Sequence, residues 1–351
     1  MPLHAIGFIL GSWADGSAPS GPGSTLIFSL VRTVLRQSRF VWREFSPSGL
    51  KEGVKLPKPV SEILAVMNSL PSPESAEDRR ENFARLCSFS GKPVASVPWR
   101  DITFPARDGA TLTIRLFGKD PSGYPSPLFL YFHGGGYVAG DLETHHAAIT
   151  QLASRTTARI ALLNYRRAPE HRYPTALHDA EDALTFCRES NELAGPKTQI
   201  VVGGDSAGGN LAAALSLSRG TDIAGQILLY PTLDAGFTGP SWQEYPQGYI
   251  TNAEDAKAFN LLYARSEKDF KDPLFSPMQA EDFTGVPRAF IFLSEVDPAR
   301  SDGQAYAEKL KAAGVQVRVK VYPEMPHGFF TMGGSVAGSR ELLGDLALVL
   351  G

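Results

Sequence analysis

The chain predicts an α/β protein: a mostly parallel sheet with helices on both faces. Three observations carry this. From Trp99 onward, short apolar runs alternate with helix-like segments, the rhythm of βαβ units. A serine stands among glycines in Gly203-Gly204-Asp205-Ser206-Ala207-Gly208-Gly209, between the apolar run Gln199–Val202 and the helix-like Asn210–Leu215. A second apolar run, Pro127–Phe132, enters His133-Gly134-Gly135-Gly136-Tyr137.

Taken in order, the first hundred residues are uneven. Gly11–Ser24, rich in Gly, Ser and Pro, reads as a loop or linker. Thr25–Arg43 reads as a helix: Ile27, Leu30, Val31, Val34 and Leu35 form one stripe and Arg32, Arg36, Arg39 and Arg43 another. The plainer reading is a helix with one buried and one solvated face; the sharper one is contact with an anionic membrane surface. A loop with several prolines follows. Pro73–Phe89 then reads as a helix, with Glu74, Glu77 and Asp78 placed early to suit its dipole.

Beyond Trp99 the elements follow one another closely. Asp101–Phe104 and Thr111–Leu116, separated by Asp108-Gly109, read as a hairpin. The strand at Leu128 comes next, then a helix from about Thr144, a strand Ala158–Asn164 and a helix Thr175–Arg188. The serine motif and its helix follow. Ala224–Tyr230 and Ala289–Ser294 are strands, and helix Gln304–Ala313 precedes the alternating strand Val317–Tyr322. Ala235–Asp272 breaks the rhythm with a longer, aromatic-rich excursion that contains Phe237, Trp242, Tyr245, Tyr249, Phe259 and Tyr263.

The chemistry lies in the connections. A serine at a strand-to-helix turn presents its hydroxyl beyond the sheet for attack on a carbonyl, and flanking glycines permit the sharp backbone. The helix start aims free N–H groups at developing negative charge, with Ala207 first among them. Gly134–Gly136 let further N–H groups point into a cleft. A G-x-S-x-G string alone is weak, as the near miss Gly334-Ser335-Val336-Ala337-Gly338 shows. With a nucleophile–acid–base order along the chain, the base is His327, the one histidine C-terminal to Ser206. Asp297 follows a buried strand and competes with Asp302 and, more weakly, Glu295. Pro298 suits the first turn of a helix that would carry Asp302 away, so Asp297 is favoured, with a further reading as a helix N-cap.

Together these segments resemble the hormone-sensitive-lipase-like family of α/β-hydrolases. The match runs through HGGGYVAGDLETH from His133, NYRRAPEHRYP from Asn164, GGDSAGGNLA from Gly203, EVDPARSDG from Glu295 and YPEMPHGFF from Tyr322. Two residues depart from the family pattern: Arg167 stands where leucine or another apolar residue is usual, and Ala299 where leucine is frequent. The resemblance implies an α/β-hydrolase fold with a catalytic domain at 99–351 and a cap from residues 1–98 joined by 235–272. Most aromatics of that excursion then read as cap core and the rest as acyl-pocket lining. It implies a serine carboxylesterase for short- to medium-chain acyl esters. Ser206, His327 and Asp297 form its triad, and Gly135, Gly136 and Ala207 its oxyanion hole. His133, Gly134 and Asp205 complete the motifs. No metal or organic cofactor is implied, and the partner is a small-molecule ester. Family members often pair through an edge strand, which implies a homodimer. The same triad also serves lactonases, deacetylases and acyltransferases. A third reading is a ligand receptor on a disabled scaffold, as in the plant gibberellin receptors, which lack the histidine that His327 supplies here.

Composition agrees. The 351 residues suffice for a large domain with a smaller cap. A formal net charge of −3 gives no long-range attraction to nucleic acid. Cys87 and Cys187 read as small buried hydrophobes. The apolar stretch Ala5–Leu10 has no Lys or Arg before it and makes a poor signal peptide. The chain has no N-x-[ST] acceptor, and the expectation is a cytoplasmic protein.

Overall fold

The computed structural model describes residues 50–51, 53–118, 127–190, 193 and 198–351. The expected linker at 11–24 and helix at 25–43 lie outside them. Within them, eight strands form one sheet: β1 (Trp99–Pro105), β2 (Thr111–Phe117), β3 (Leu128–Phe132), β4 (Arg159–Asn164), β5 (Ile200–Asp205), β6 (Gly225–Leu229), β7 (Ala289–Val296) and β8 (Val317–Pro326). Their order is β1-β2-β4-β3-β5-β6-β7-β8. The pairings β1–β2 and β2–β4 are antiparallel, and the rest are parallel. The expected hairpin and parallel sheet are both present.

Central strands are apolar throughout because both of their faces are covered. Every residue of β3 and β6 is buried. Alternate side chains of β3 serve opposite layers. Leu128, Leu130 and Phe132 join a core with α4 (Thr175–Glu189), α5 (Ala207–Arg219) and α8 (Arg300–Ala312). Phe129 and Tyr131 join a second core with α1 (Lys58–Asn68), α3 (Leu142–Ala153) and α9 (Ala337–Leu350). β8 closes the sheet as an edge strand. Its alternation does make a strand, yet Val319 and Val321 stay 38% and 37% exposed because nothing among the described residues covers them.

Several boundaries shift for identifiable reasons. α3 starts at Leu142 because Asp141 caps it, accepting from the N–H groups of Glu143 and Thr144. α2 (Ala76–Cys87) starts after Ser75, whose capping box with Asp78 sets the boundary. The excursion holds α6 (Ser241–Glu244) and α7 (Ala253–Tyr263). α8 begins at Arg300, earlier than expected, and so takes Asp302 into its first turn. The proline-rich stretch after residue 50 holds the helix α1, unexpected from sequence. Pro57 and Pro59 stand at its start, where a missing N–H costs nothing, and Val60, Ile63 and Leu64 are its buried face. α9 begins at Ala337, inside the Gly334–Gly338 string, and is likewise unexpected from sequence; Leu342, Leu343, Leu346 and Leu350 anchor it. No helix among the described residues is long and apolar enough to cross a membrane.

The sheet places its parallel strand ends at one edge, where open α/β sheets gather ligands. β5 lies at the centre, and α5 packs against β3 so closely that a Cβ on Gly208 would overlap the carbonyl oxygen of Phe132. Gly208→Ala is therefore expected to cost about 3 kcal/mol of unfolding free energy, read from urea titrations of the variant and the parent. An unchanged midpoint would refute the close-packing argument.

Candidate active site

Ser206 occupies the single residue between β5 and α5. Its backbone has φ 54° and ψ −116°, a region that L-residues avoid. Its N–H donates to the carbonyl of Leu229, 2.9 Å away, so the neighbouring strand β6 holds the turn. A Cβ on Gly204 would strike the Phe132 carbonyl and the Gly208 backbone. The flanking glycines thus meet a steric demand, and the strain falls on the serine.

The other two sequence candidates converge on it. Ser206 Oγ lies 2.8 Å from His327 Nε2. His327 Nδ1 lies 2.8 Å from Asp297 Oδ2. Asp297 is fully buried and His327 nearly so. Asp297 Oδ1 also accepts from the N–H of Ala299 at 2.8 Å, so the residue anchors the start of the next helix as well as the imidazole. A register shift between Ser294 and Val296 re-aims the chain just before it. The Tyr230 ring meets the His327 ring edge-on, with centroids 5.0 Å apart.

The glycine loop after β3 faces the same space. Gly135 and Gly136 have φ of 113° and 61°, and their N–H groups have no acceptor among the described residues. The carbonyl of Gly135 accepts from Val138 and Ala139, which curls the loop and turns those amides outward. Ala207, as first residue of α5, has no carbonyl one turn back to bond. Gly135, Gly136, Ser206 and His327 line one cavity of about 320 Å³. Its other walls include Met67 and Asn68 of α1, Arg79, Phe83 and Leu86 of α2, and Phe237, Ile250 and Phe259 from the excursion.

Asp205 joins the two motifs. Its Oδ1 accepts from Tyr131 Oη at 2.8 Å, from the N–H of Gly134 at 2.9 Å, and lies 3.1 Å from His145 Nε2. Burial alone would raise its pKa, but His145 and these donors outweigh it and hold the carboxyl below its usual range. His133 takes no part in the hydroxyl–imidazole chain. Its Nδ1 donates to the Gly134 carbonyl at 2.8 Å, and its ring stacks on Tyr165 at 4.1 Å. Burial and the neighbouring His145 press its pKa down to about 3, so it is a neutral strut of the loop. Arg167, the departure from the family pattern, donates to the Gly140 carbonyl at 2.8 Å and holds the far end of that loop.

Sequence comparison meets this geometry in a family described as having the alpha/beta hydrolase fold, which matches residues 129–331. The chain belongs to the α/β-hydrolases. Within them it falls in the hormone-sensitive-lipase-like branch. It is similar to ethyl acetate hydrolase of Pseudomonas putida, 34% identical over 78% of this chain and 88% of that one. It is similar to carboxylesterase NlhH of Mycobacterium tuberculosis, 37% identical over 68% of this chain and 77% of that one. A thermostable esterase from Pseudomonas putida superposes with a TM-score of 0.79 at 26% identity, over 86% of this chain and 98% of that one.

The rival carboxylates stand apart from the Ser206–His327–Asp297 cluster. Glu295 Oε2 accepts from the N–H of Glu324. Asp302 is buried and accepts from Trp242 Nε1 at 3.0 Å. His145 closes the HGGGYVAGDLETH segment and Tyr131 lies in the strand before it, but nothing local marks their reach to Asp205. Burial pushes Asp302 up to about 8, offset in part by Trp242 and reinforced by Asp234. The folded state therefore favours its protonated form. That contribution is full at pH values below about 4, where free aspartate titrates, and is lost as pH rises to about 8. Asp302→Asn is expected to flatten the fall in melting temperature between pH 5 and 8. Parallel profiles for variant and parent would refute it.

Proposed function

We propose that Ser206, His327 and Asp297 hydrolyse carboxylic esters through an acyl-enzyme. The protein is a carboxylic ester hydrolase, the activity for which its relatives are named. The observation that carries the proposed chemistry is the continuous chain from Ser206 Oγ through His327 to buried Asp297, each link 2.8 Å. His327 Nε2 takes the hydroxyl proton as Oγ adds to the ester carbonyl. Asp297 holds the Nδ1 proton in place and stabilises the imidazolium. The N–H groups of Gly135, Gly136 and Ala207 receive the oxyanion, and each such donor is worth about 3–4 kcal/mol of barrier. The imidazolium then protonates the departing alkoxide and the alcohol leaves. Water, deprotonated by the same histidine, attacks the acyl-enzyme and releases the acid and Ser206.

The substrate limit comes from the walls. A cavity of about 320 Å³ is small and suits short- to medium-chain acyl groups. The described part of the proposed cap is α1, α2 and the excursion 235–272, which supply walls of the cavity. The thiols of Cys87 and Cys187 are free, which suits a cytoplasmic setting, and exposed edge strand β8 suits a homodimer. Cell fractionation and light-scattering mass test those two points. A membrane-bound protein or a monomer would count against them.

On a short-chain aryl ester, Ser206→Ala is expected to lower kcat by about 10⁴-fold or more. Asp297→Asn should lower it by about 10³- to 10⁴-fold and far more than Asp302→Asn. Near-native turnover in the serine variant, or the reverse order of the aspartates, would overturn the assignment.

A further inference from the structure

Two consecutive arginines of α2 are held very differently. Arg80 is saturated: Nε donates to the Val138 carbonyl at 3.0 Å and Nη2 to the Ala168 carbonyl at 3.2 Å and to Glu170 at 2.6 Å. Arg79 lines the cavity that holds Ser206. Its side chain is only 11% exposed, yet among the described residues it has no hydrogen bond. Its single ion pair is a loose 3.6 Å contact with Asp255 Oδ1. A guanidinium has five N–H donors, and taking it out of water without partners is costly. This one is positioned over the face of Phe259, 4.8 Å from the ring centroid. Phe259 in turn lies against Gly136, so that a Cβ there would come within 2.5 Å of the ring. Arg79, Phe259 and Gly136 thus form a stack that ends at the glycine loop.

The other charges around the cavity are already committed. Asp205 is satisfied by Tyr131, Gly134 and His145. Asp234 accepts from the N–H groups of Gly236 and Thr238 and from Thr238 Oγ1. Asp255 Oδ2 accepts from Asn252 Nδ2 at 2.7 Å, and its Oδ1 faces Arg79. Among the described charged side chains that line the cavity, Arg79 alone retains free donors, in a fork that matches a carboxylate.

We infer that the cleft takes an ester bearing a carboxylate, which Arg79 receives while Ser206 attacks the ester carbonyl. This rests on the esterase reading above and adds to it a substrate class. Asp255 balances the cation when the cleft is empty and yields when the substrate carboxylate arrives.

The test compares charged esters with neutral isosteres in the full-length protein. One arm sets ethyl hydrogen glutarate against ethyl valerate, placing the charge on the acyl side. The other sets 4-acetoxybenzoate against 4-tolyl acetate, placing it on the alcohol side. Wild type is expected to prefer the charged ester in at least one arm, and that arm names the side that faces Arg79. In that arm Arg79→Gln should lose about 10- to 100-fold more kcat/KM on the charged ester than on its isostere, mostly through KM. Arg79→Lys should recover part of the difference, and Asp255→Asn should lower KM for the charged ester. The neutral ester reports whether each variant is folded and competent. Equal losses on both esters, or no wild-type preference in either arm, would overturn the inference and leave the esterase reading standing. If wild type turns over no ester at all and matches Ser206→Ala, both readings fall.

Discussion

The structure depends on one close approach. The backbone of α5 presses against the end of β3 at the Phe132 carbonyl, where no side chain fits at Gly204 or Gly208. That contact compresses the turn between β5 and α5 into one residue, and the residue is Ser206. Its positive φ is the local cost, of order 1–3 kcal/mol. The same contact brings the glycine loop, which continues from Phe132, alongside the serine. Hydroxyl and amides are neighbours because two backbones touch, before any polar interaction is counted.

Electrostatics then stiffen what packing has placed. Asp205 is a buried carboxylate with its charge retained, since a tyrosine, a backbone amide and a histidine converge on one oxygen. It ties the first glycine of the loop to the residue before the serine, so the two motifs hold a fixed spacing. Burial and the neighbouring His145 keep His133 uncharged beside it. On the far side, Asp297 spends one oxygen on His327 and the other on the start of the following helix. The imidazole is therefore oriented by an element of the fold and not by a mobile loop.

Much of this was legible in the chain, for physical reasons that can be named. Apolar runs with no alternation announced the buried strands, and glycines beside a serine announced a crowded turn. Pro298 separated Asp297 from Asp302 by announcing a helix, which starts at Arg300 and carries the later aspartate to Trp242, away from the imidazole. The failures are equally specific. Pro57 and Pro59 read as loop punctuation, although a helix tolerates proline in its first turn. The brace of His145 and Tyr131 on Asp205 joins residues up to 74 positions apart, and no local pattern encodes it. The isolation of Arg79 is likewise a property of the assembled cleft: its neighbour Arg80 has the same chemistry and a full set of partners.

The walls of the cavity come mostly from stretches that the sheet does not contain, before β1 and between β6 and β7. Ser206, Asp297 and His327 instead follow the ends of β5, β7 and β8. The lining can therefore vary in shape and charge while the strand ends that carry those three side chains keep their places in the sheet.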